Sequence, residues 1–153
     1  MIEHRKITLA ISTCCSIGVG LLAAHVMAGP DNIKFPEGFE KGVLYATVDR
    51  HDIKQYRELY STPEAVKAVR EGKPIPSGTV LTLVQYGAKK DDKGNPVKDA
   101  KGRFVKGDLI AYTVMEKRKG WGAGYPDEWR NGEWEYSAFT KDKQPNAKAN
   151  AGI

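Results

Sequence analysis

Few side chains in this chain have the type and spacing to do chemistry. His51 stands between Asp49-Arg50 and Asp52, Arg57 and Glu58 lie between Tyr56 and Tyr60, and Glu133 and Glu135 sit two residues apart. Asp91, Asp92 and Asp99 punctuate a lysine-rich stretch. A lone histidine among acids is a weak candidate for metal or haem ligation, and a turn position is its ordinary use. An inward-pointing Arg57 would need an anion or a ligand, whereas a surface arginine needs neither. Glu133 and Glu135 invite a paired-carboxylate reading. On a strand, however, they share the face opposite Trp134 and Tyr136, which is expected to be solvated. The acids from Asp91 to Asp99 lack the alternating oxygen ligands and closing glutamate of a calcium loop. Gly120-Trp121-Gly122-Ala123-Gly124-Tyr125-Pro126 lacks the preceding strand and following helix of a phosphate cradle.

The two cysteines, Cys14 and Cys15, fall in the first 28 residues. That segment has the layout of an export leader: His4-Arg5-Lys6, then the uncharged run Ile7 to Val26, then Val26-Met27-Ala28 before Gly29-Pro30. Cleavage after Ala28 and export to a bacterial periplasm is the expectation. An uncleaved membrane anchor is the competing reading, and Ile11-Ser12-Thr13 makes a poor lipidation box. From Gly29 onward there is no cysteine, and His51 is the single histidine. A structural zinc site and a Cys-His nucleophile are thereby nearly excluded, and any Ser-His-Asp triad rests on His51. The formal charge falls from +5 to +4 when Glu3, Arg5 and Lys6 leave. The lysines are interspersed with acids, as in Lys89-Lys90-Asp91-Asp92-Lys93, which suits a solvated surface and not a nucleic-acid stripe.

These residues need a scaffold, and about 125 residues suffice for one domain with its own core. Residues 29–41 form a lead-in that Phe35 and Phe39 pin to the body, and 42–140 form the domain. Val43 to Val48 and Thr79 to Tyr86 are β-branched strands, with others at Leu109 to Met115 and Glu133 to Phe139. Ile53 to Tyr60 suits a helix through Tyr56 and Tyr60, or a strand with Ile53, Gln55, Arg57 and Leu59 on one face. The helix start that follows favours the strand: Thr62 as N-cap, Pro63 in the first helical position and Glu64 in the first turn. Gly72 and Pro74 end that helix. Turn signals at Asp92-Lys93-Gly94-Asn95-Pro96 and Asp99-Ala100-Lys101-Gly102 predict a solvated excursion. The expectation is an α+β domain, mainly antiparallel sheet, of about five strands, barrel-like, with one short helix. Residues 141–153 are expected to be a polar tail.

The order of these segments resembles the cytochrome P-460 family, which includes the cytochromes c′-beta. The resemblance is carried by Arg57-Glu58-Leu59-Tyr60 with Thr62-Pro63-Glu64-Ala65, then Gly72-Lys73-Pro74 and Gly78-Thr79-Val80-Leu81. It continues through Asp92 to Phe104, Lys106-Gly107-Asp108, Met115-Glu116-Lys117-Arg118, Gly120-Trp121-Gly122 and Asn131-Gly132 with Trp134-Glu135-Tyr136. It implies a small periplasmic domain, often dimeric, holding one haem c and acting on hydroxylamine or on nitric oxide and other diatomic gases. A redox partner, a small-molecule or gas ligand and a homodimer follow from the same resemblance, as does the absence of a membrane span once the leader is removed. Haem in the family is attached through a C-terminal Cys-x-x-Cys-His. That motif is not found up to Ile153, so the chain is expected to be a truncated copy or to have lost its haem.

The resemblance also places site residues. Arg57 matches a distal-side arginine able to donate hydrogen bonds to an iron-bound ligand. Leu83 stands where hydroxylamine-oxidising members carry a lysine cross-linked to the haem edge. Thr113 stands near a proton-transferring carboxylate of some members, and it cannot act as a base at neutral pH. With Leu83 and Thr113 at these positions, gas binding or electron transfer is expected over hydroxylamine turnover. The rival expectation is a haem-free ligand-binding or structural domain on the same fold.

Overall fold

The computed structural model describes residues 32–146 and residue 149. Five strands run β1 (Val43–Arg50), β2 (Gln55–Ser61), β3 (Val80–Ala88), β4 (Lys106–Lys117) and β5 (Trp134–Thr140). Every neighbouring pair is antiparallel, and the order in space is the order in the chain. The sheet is therefore an open meander, with β1 and β5 at its two sides. The expected α+β class holds, but the barrel-like closure does not, because β1 and β5 are not paired.

Period-2 alternation divides the sheet into two unlike faces. One is packed: Val84, Tyr112, Val114 and Phe139 form a buried cluster with Ile33, and Tyr60, Val80, Tyr86 and Trp121 pack against it. The lead-in is laid across this core face. Phe35 meets Tyr112 edge-on at 4.9 Å and Phe139 at 5.4 Å, and Phe39 meets Tyr60 at 5.2 Å. Such edge-to-face pairs contribute about 0.5–1.5 kcal/mol each beyond the area they bury, which is why two phenylalanines suffice to fix the segment.

The ambiguous stretch after Ile53 is a strand. Residues 51–54 turn, Lys54 adopts φ 54°, and Ile53 is exposed and not part of the strand face expected for it. The one α-helix among the described residues, α1 (Pro63–Arg70), begins where expected. Thr62 is extended and its carbonyl accepts from Val66 N, but its hydroxyl makes no cap bond, so Pro63 and Glu64 carry the start. The helix ends in a Schellman motif: Gly72 sits at φ 67°, Gly72 N donates to Val69 O and Lys73 N to Ala68 O.

Between β3 and β4 the chain makes two turns that are copies of each other. Residues 91–98 and 99–106 agree at five of eight positions, in Asp, Lys, Gly, Val and Lys. In each copy the aspartate Oδ1 accepts two backbone N–H groups, from Lys93 and Asn95 for Asp91 and from Lys101 and Arg103 for Asp99. The copies stack by equivalent bonds, Val97 N to Lys89 O and Val105 N to Val97 O. Asp49 of β1 anchors the second copy, accepting from Arg103 Nε at 2.8 Å, Arg103 Nη2 at 3.1 Å and Phe104 N at 3.0 Å.

Two further expectations are corrected. Glu135 is on the core face, 3% exposed, opposite Glu116, which is 8% exposed. Burial is tolerated because each carboxylate is bonded, Glu135 to Asn32 Nδ2 at 2.9 Å and Glu116 to Arg118 Nε at 2.5 Å. Glu133, just outside β5, accepts from Gly120 N. The residues after Thr140 are not wholly a free tail either. The chain reverses at Lys143 (φ 62°), and Asn146 N donates to Ala138 O, so this segment pairs along the outer side of β5.

Candidate functional site

The second sheet face is built from Gln55, Arg57, Leu59 and Ser61 of β2, Leu81, Leu83 and Gln85 of β3, Ala111, Thr113 and Met115 of β4, and Trp134, Tyr136 and Ala138 of β5. The register sets these in rows: Arg57 opposite Gln85 and Gln85 opposite Ala111, Leu59 opposite Leu83, Leu83 opposite Thr113, and Thr113 opposite Ala138. Most are half-buried, and among the described residues no helix or strand packs across the middle of this face. At one end α1 leans over it, making an apolar groove of about 480 Å³ that includes Ala65, Val69, Ile75 and Leu81. At the other end a cavity of about 420 Å³ lies over Gln85, Thr113, Tyr136 and Ala138, with Asn146 and Ala149 of the C-terminal segment on its far wall. Leu59 and Leu83 lie between the two.

The three site residues expected from the sequence, Arg57, Leu83 and Thr113, therefore share one face. Leu83 and Thr113 are direct cross-strand partners, and Arg57 is one row away. Thr113 lines the cavity, while Arg57 and Leu83 stand outside its lining. His51 is elsewhere. It is exposed in the β1–β2 turn with its ring 4.7 Å from Phe104 of the excursion. Among the described residues no group of three or more His, Cys, Asp or Glu side chains could hold a metal ion.

Gln85 is a member of this site that sequence reading missed. Its Nε2 donates to Thr113 Oγ1 at 3.1 Å, joining the Arg57 row to the Leu83 row. A signal existed, since Gln85 continues the Leu81, Leu83 alternation as a polar residue on an apolar face. Arg57 is held by Gln55, whose Oε1 accepts from Nε at 3.1 Å and from Nη2 at 2.9 Å. Burial pushes the Arg57 guanidinium below its ordinary value, and the nearby Arg50 adds to this. Arg50 itself is taken up by Asp52.

The strand carboxylates Asp49, Glu58, Glu116 and Glu135 all stand on the core side by the register. Glu58, 6% exposed, is bonded to Lys106 Nζ at 2.7 Å and to Tyr60 Oη at 3.2 Å. Lys106 is held above its ordinary value first by this bond, and burial, with help from Glu58, pushes Tyr86 up to about 12. On the open face Arg57 has Val48 and Gln85 as its cross-strand neighbours.

The sheet is an antiparallel meander with one packed face and one open, largely apolar face that carries Arg57. The family model for cytochrome P460 matches residues 36–152, and the chain belongs to the cytochrome P460 family, a family of haem proteins. Comparison with curated proteins gave no match. The open face suits a flat apolar group, since Leu59, Leu83, Ala111, Tyr136 and Ala138 offer contact and α1 and the C-terminal segment bound its two ends. Cysteines for thioether bonds, and a histidine on this face, are not among the described residues.

Proposed function

We propose that this is an exported haem-binding member of the family whose open sheet face takes the distal side of a haem c, and that it binds a diatomic gas or passes electrons and does not oxidise hydroxylamine. The observation that carries the proposal is the sharing of one open, apolar face by Arg57, Leu83 and Thr113. A bound haem would supply the iron at which the ligand sits. Leu59, Leu83 and Ala138 would keep water from that ligand, and Arg57 would donate hydrogen bonds to it. Leu83 offers no amine for a cross-link, and Thr113 offers no base, which supports binding over turnover. The leader supports a periplasmic location, where a redox partner and a homodimer would operate.

The test is spectroscopic. The reading frame, taken through the DNA that follows codon 153, is expressed in a host that matures c-type haem, and the product is stained for haem on a denaturing gel. A stained band that binds nitric oxide, more weakly in Arg57→Ala, is the expected result. A product without haem in the presence of that machinery would favour the haem-free ligand-binding reading. Gas affinity unchanged in Arg57→Ala would remove Arg57 from the distal role.

A further inference from the structure

Arg57 is a half-buried cation without a carboxylate. Gln55 Oε1 accepts from both Nε and Nη2 and so occupies one edge of the guanidinium. The outer edge, formed by Nη1 and Nη2, has no further bond among the described residues. Asp52, which acts on Arg57 through space, is engaged in a two-bond contact with Arg50 at 2.9 and 2.6 Å. Glu58, the neighbour in sequence, points to the core and is bonded to Lys106 and Tyr60. The sheet thus places Asp49, Glu58, Glu116 and Glu135 behind the face and leaves a planar fork of two donors in front of it.

We infer that the outer edge of Arg57 is a binding site for a planar two-oxygen monoanion, of the nitrite or carboxylate class. A guanidinium edge matches two oxygens about 2.2 Å apart by two parallel N–H···O bonds. A diatomic gas offers one terminal acceptor and leaves half of the fork unused. A half-desolvated guanidinium on an apolar face has most to gain from an anion that neutralises it. Chloride matches the charge but not the fork, and a lysine would match the charge but not the plane. The anion has two possible sources, a free small oxyanion or a carboxylate carried by a larger group bound on the same face. From the proposed function this inference takes only the identity of the ligand face, and it needs no haem.

The test uses the full chain without cofactor, labelled with nitrogen-15 and titrated with sodium nitrite and with sodium formate against sodium chloride at constant ionic strength. Saturable shifts at the Arg57, Gln55 and Gln85 side chains are expected with nitrite and formate and not with chloride. Affinity falls at least about tenfold in Arg57→Gln and also falls in Arg57→Lys, while Arg50→Gln keeps it. No saturable shift, equal response to chloride, or equal loss in Arg50→Gln would overturn the site. Repeating the formate titration on haem-loaded protein separates the sources: retained binding assigns the fork to a free anion, and loss assigns it to a carboxylate of the bound group. A protein that takes up no haem but binds formate would sink the haem proposal and keep this one.

Discussion

Arg57 and Glu58 are adjacent in the chain and serve opposite sides of the sheet, the guanidinium on the open face beside Gln55 and the carboxylate behind it, 2.7 Å from Lys106. Strand alternation forces this split, because a one-residue step on a strand is a change of face. The pair forms no salt bridge with itself. Each charge instead has a separate fate, Glu58 paired with Lys106 and Arg57 held by the neutral amide of Gln55.

Glu58→Gln keeps the shape of the side chain but removes the charge that faces Lys106. The expected cost is about 2 kcal/mol, near the level at which charged hydrogen bonds contribute when one partner is buried. Lys106→Ala should cost stability as well, because it leaves a carboxylate that is 6% exposed with only phenolic partners. A double-mutant cycle in urea checks the coupling. Independent, additive losses would mean that the 2.7 Å contact contributes nothing.

Alkaline unfolding should be governed by the same cluster. Tyr86 is pushed up to about 12, so its proton is retained in the fold at a pH where the unfolded chain would lose it. A raised value means that the contribution is intact below the ordinary tyrosine value near 10 and is lost as pH rises towards 12. Lys106, also raised, acts in the same direction. Thermal melts between pH 9 and pH 12 should show a steeper decline for the native chain than for Tyr86→Phe. Parallel curves would contradict this.

At the acid end, Asp49 is the residue to change. Its bond to Arg103 holds its carboxyl below the ordinary value, so the contribution is present above the usual carboxylate range and disappears as pH falls through the folded value. Asp49→Asn should lower stability at neutral pH, and the gap should narrow as pH falls below the ordinary carboxylate range. Hydrogen exchange of the Phe104 and Val105 amides should rise in this variant, since Phe104 N donates to Asp49.

Two glycines should respond differently to alanine. A Cβ on Gly122 would collide with the carbonyl oxygen of Gly132, a backbone atom that cannot rotate away. Gly122→Ala should therefore disrupt the 120–132 loop and cost well over about 1 kcal/mol. At Gly72 there is free space, and the penalty is only that of an alanine at φ 67°, about 1 kcal/mol. Equal melting temperatures for the two variants would refute the distinction.

Much of this was legible in the sequence. Val43 to Val48, Thr79 to Tyr86 and the Thr62-Pro63-Glu64 start each became the element their chemistry implies. What alternation could not supply was which face is the inner one. Trp134, Tyr136 and Ala138 are as apolar as a core row, yet they belong to the open face, and the row carrying Glu135 is the buried one. Both sides of this sheet carry apolar rows, so hydrophobicity alone does not separate them. The carboxylates mislead for a related reason: burial of Glu58 and Glu135 rests on Lys106 and Asn32, partners far away in sequence, although Glu116 finds Arg118 only two residues on. Closure into a barrel was unreadable because it depends on whether the first and last strands meet.

The twin turns between β3 and β4 make that connection adjustable in steps. Because Val97 takes the place relative to Lys89 that Val105 takes relative to Val97, one unit of eight residues can be removed and the next will dock in its stead. The unit nearer β4 carries Arg103, the link to Asp49, so it is the one that has to stay. Deleting 89–96 should leave Ala88 and Lys106 paired and the ligand face unaltered, whereas deleting seven or nine residues would break the hand-over. The fold thus owns a ruler graduated in eights, along which the protrusion can be shortened by a whole unit while the open sheet face stays still.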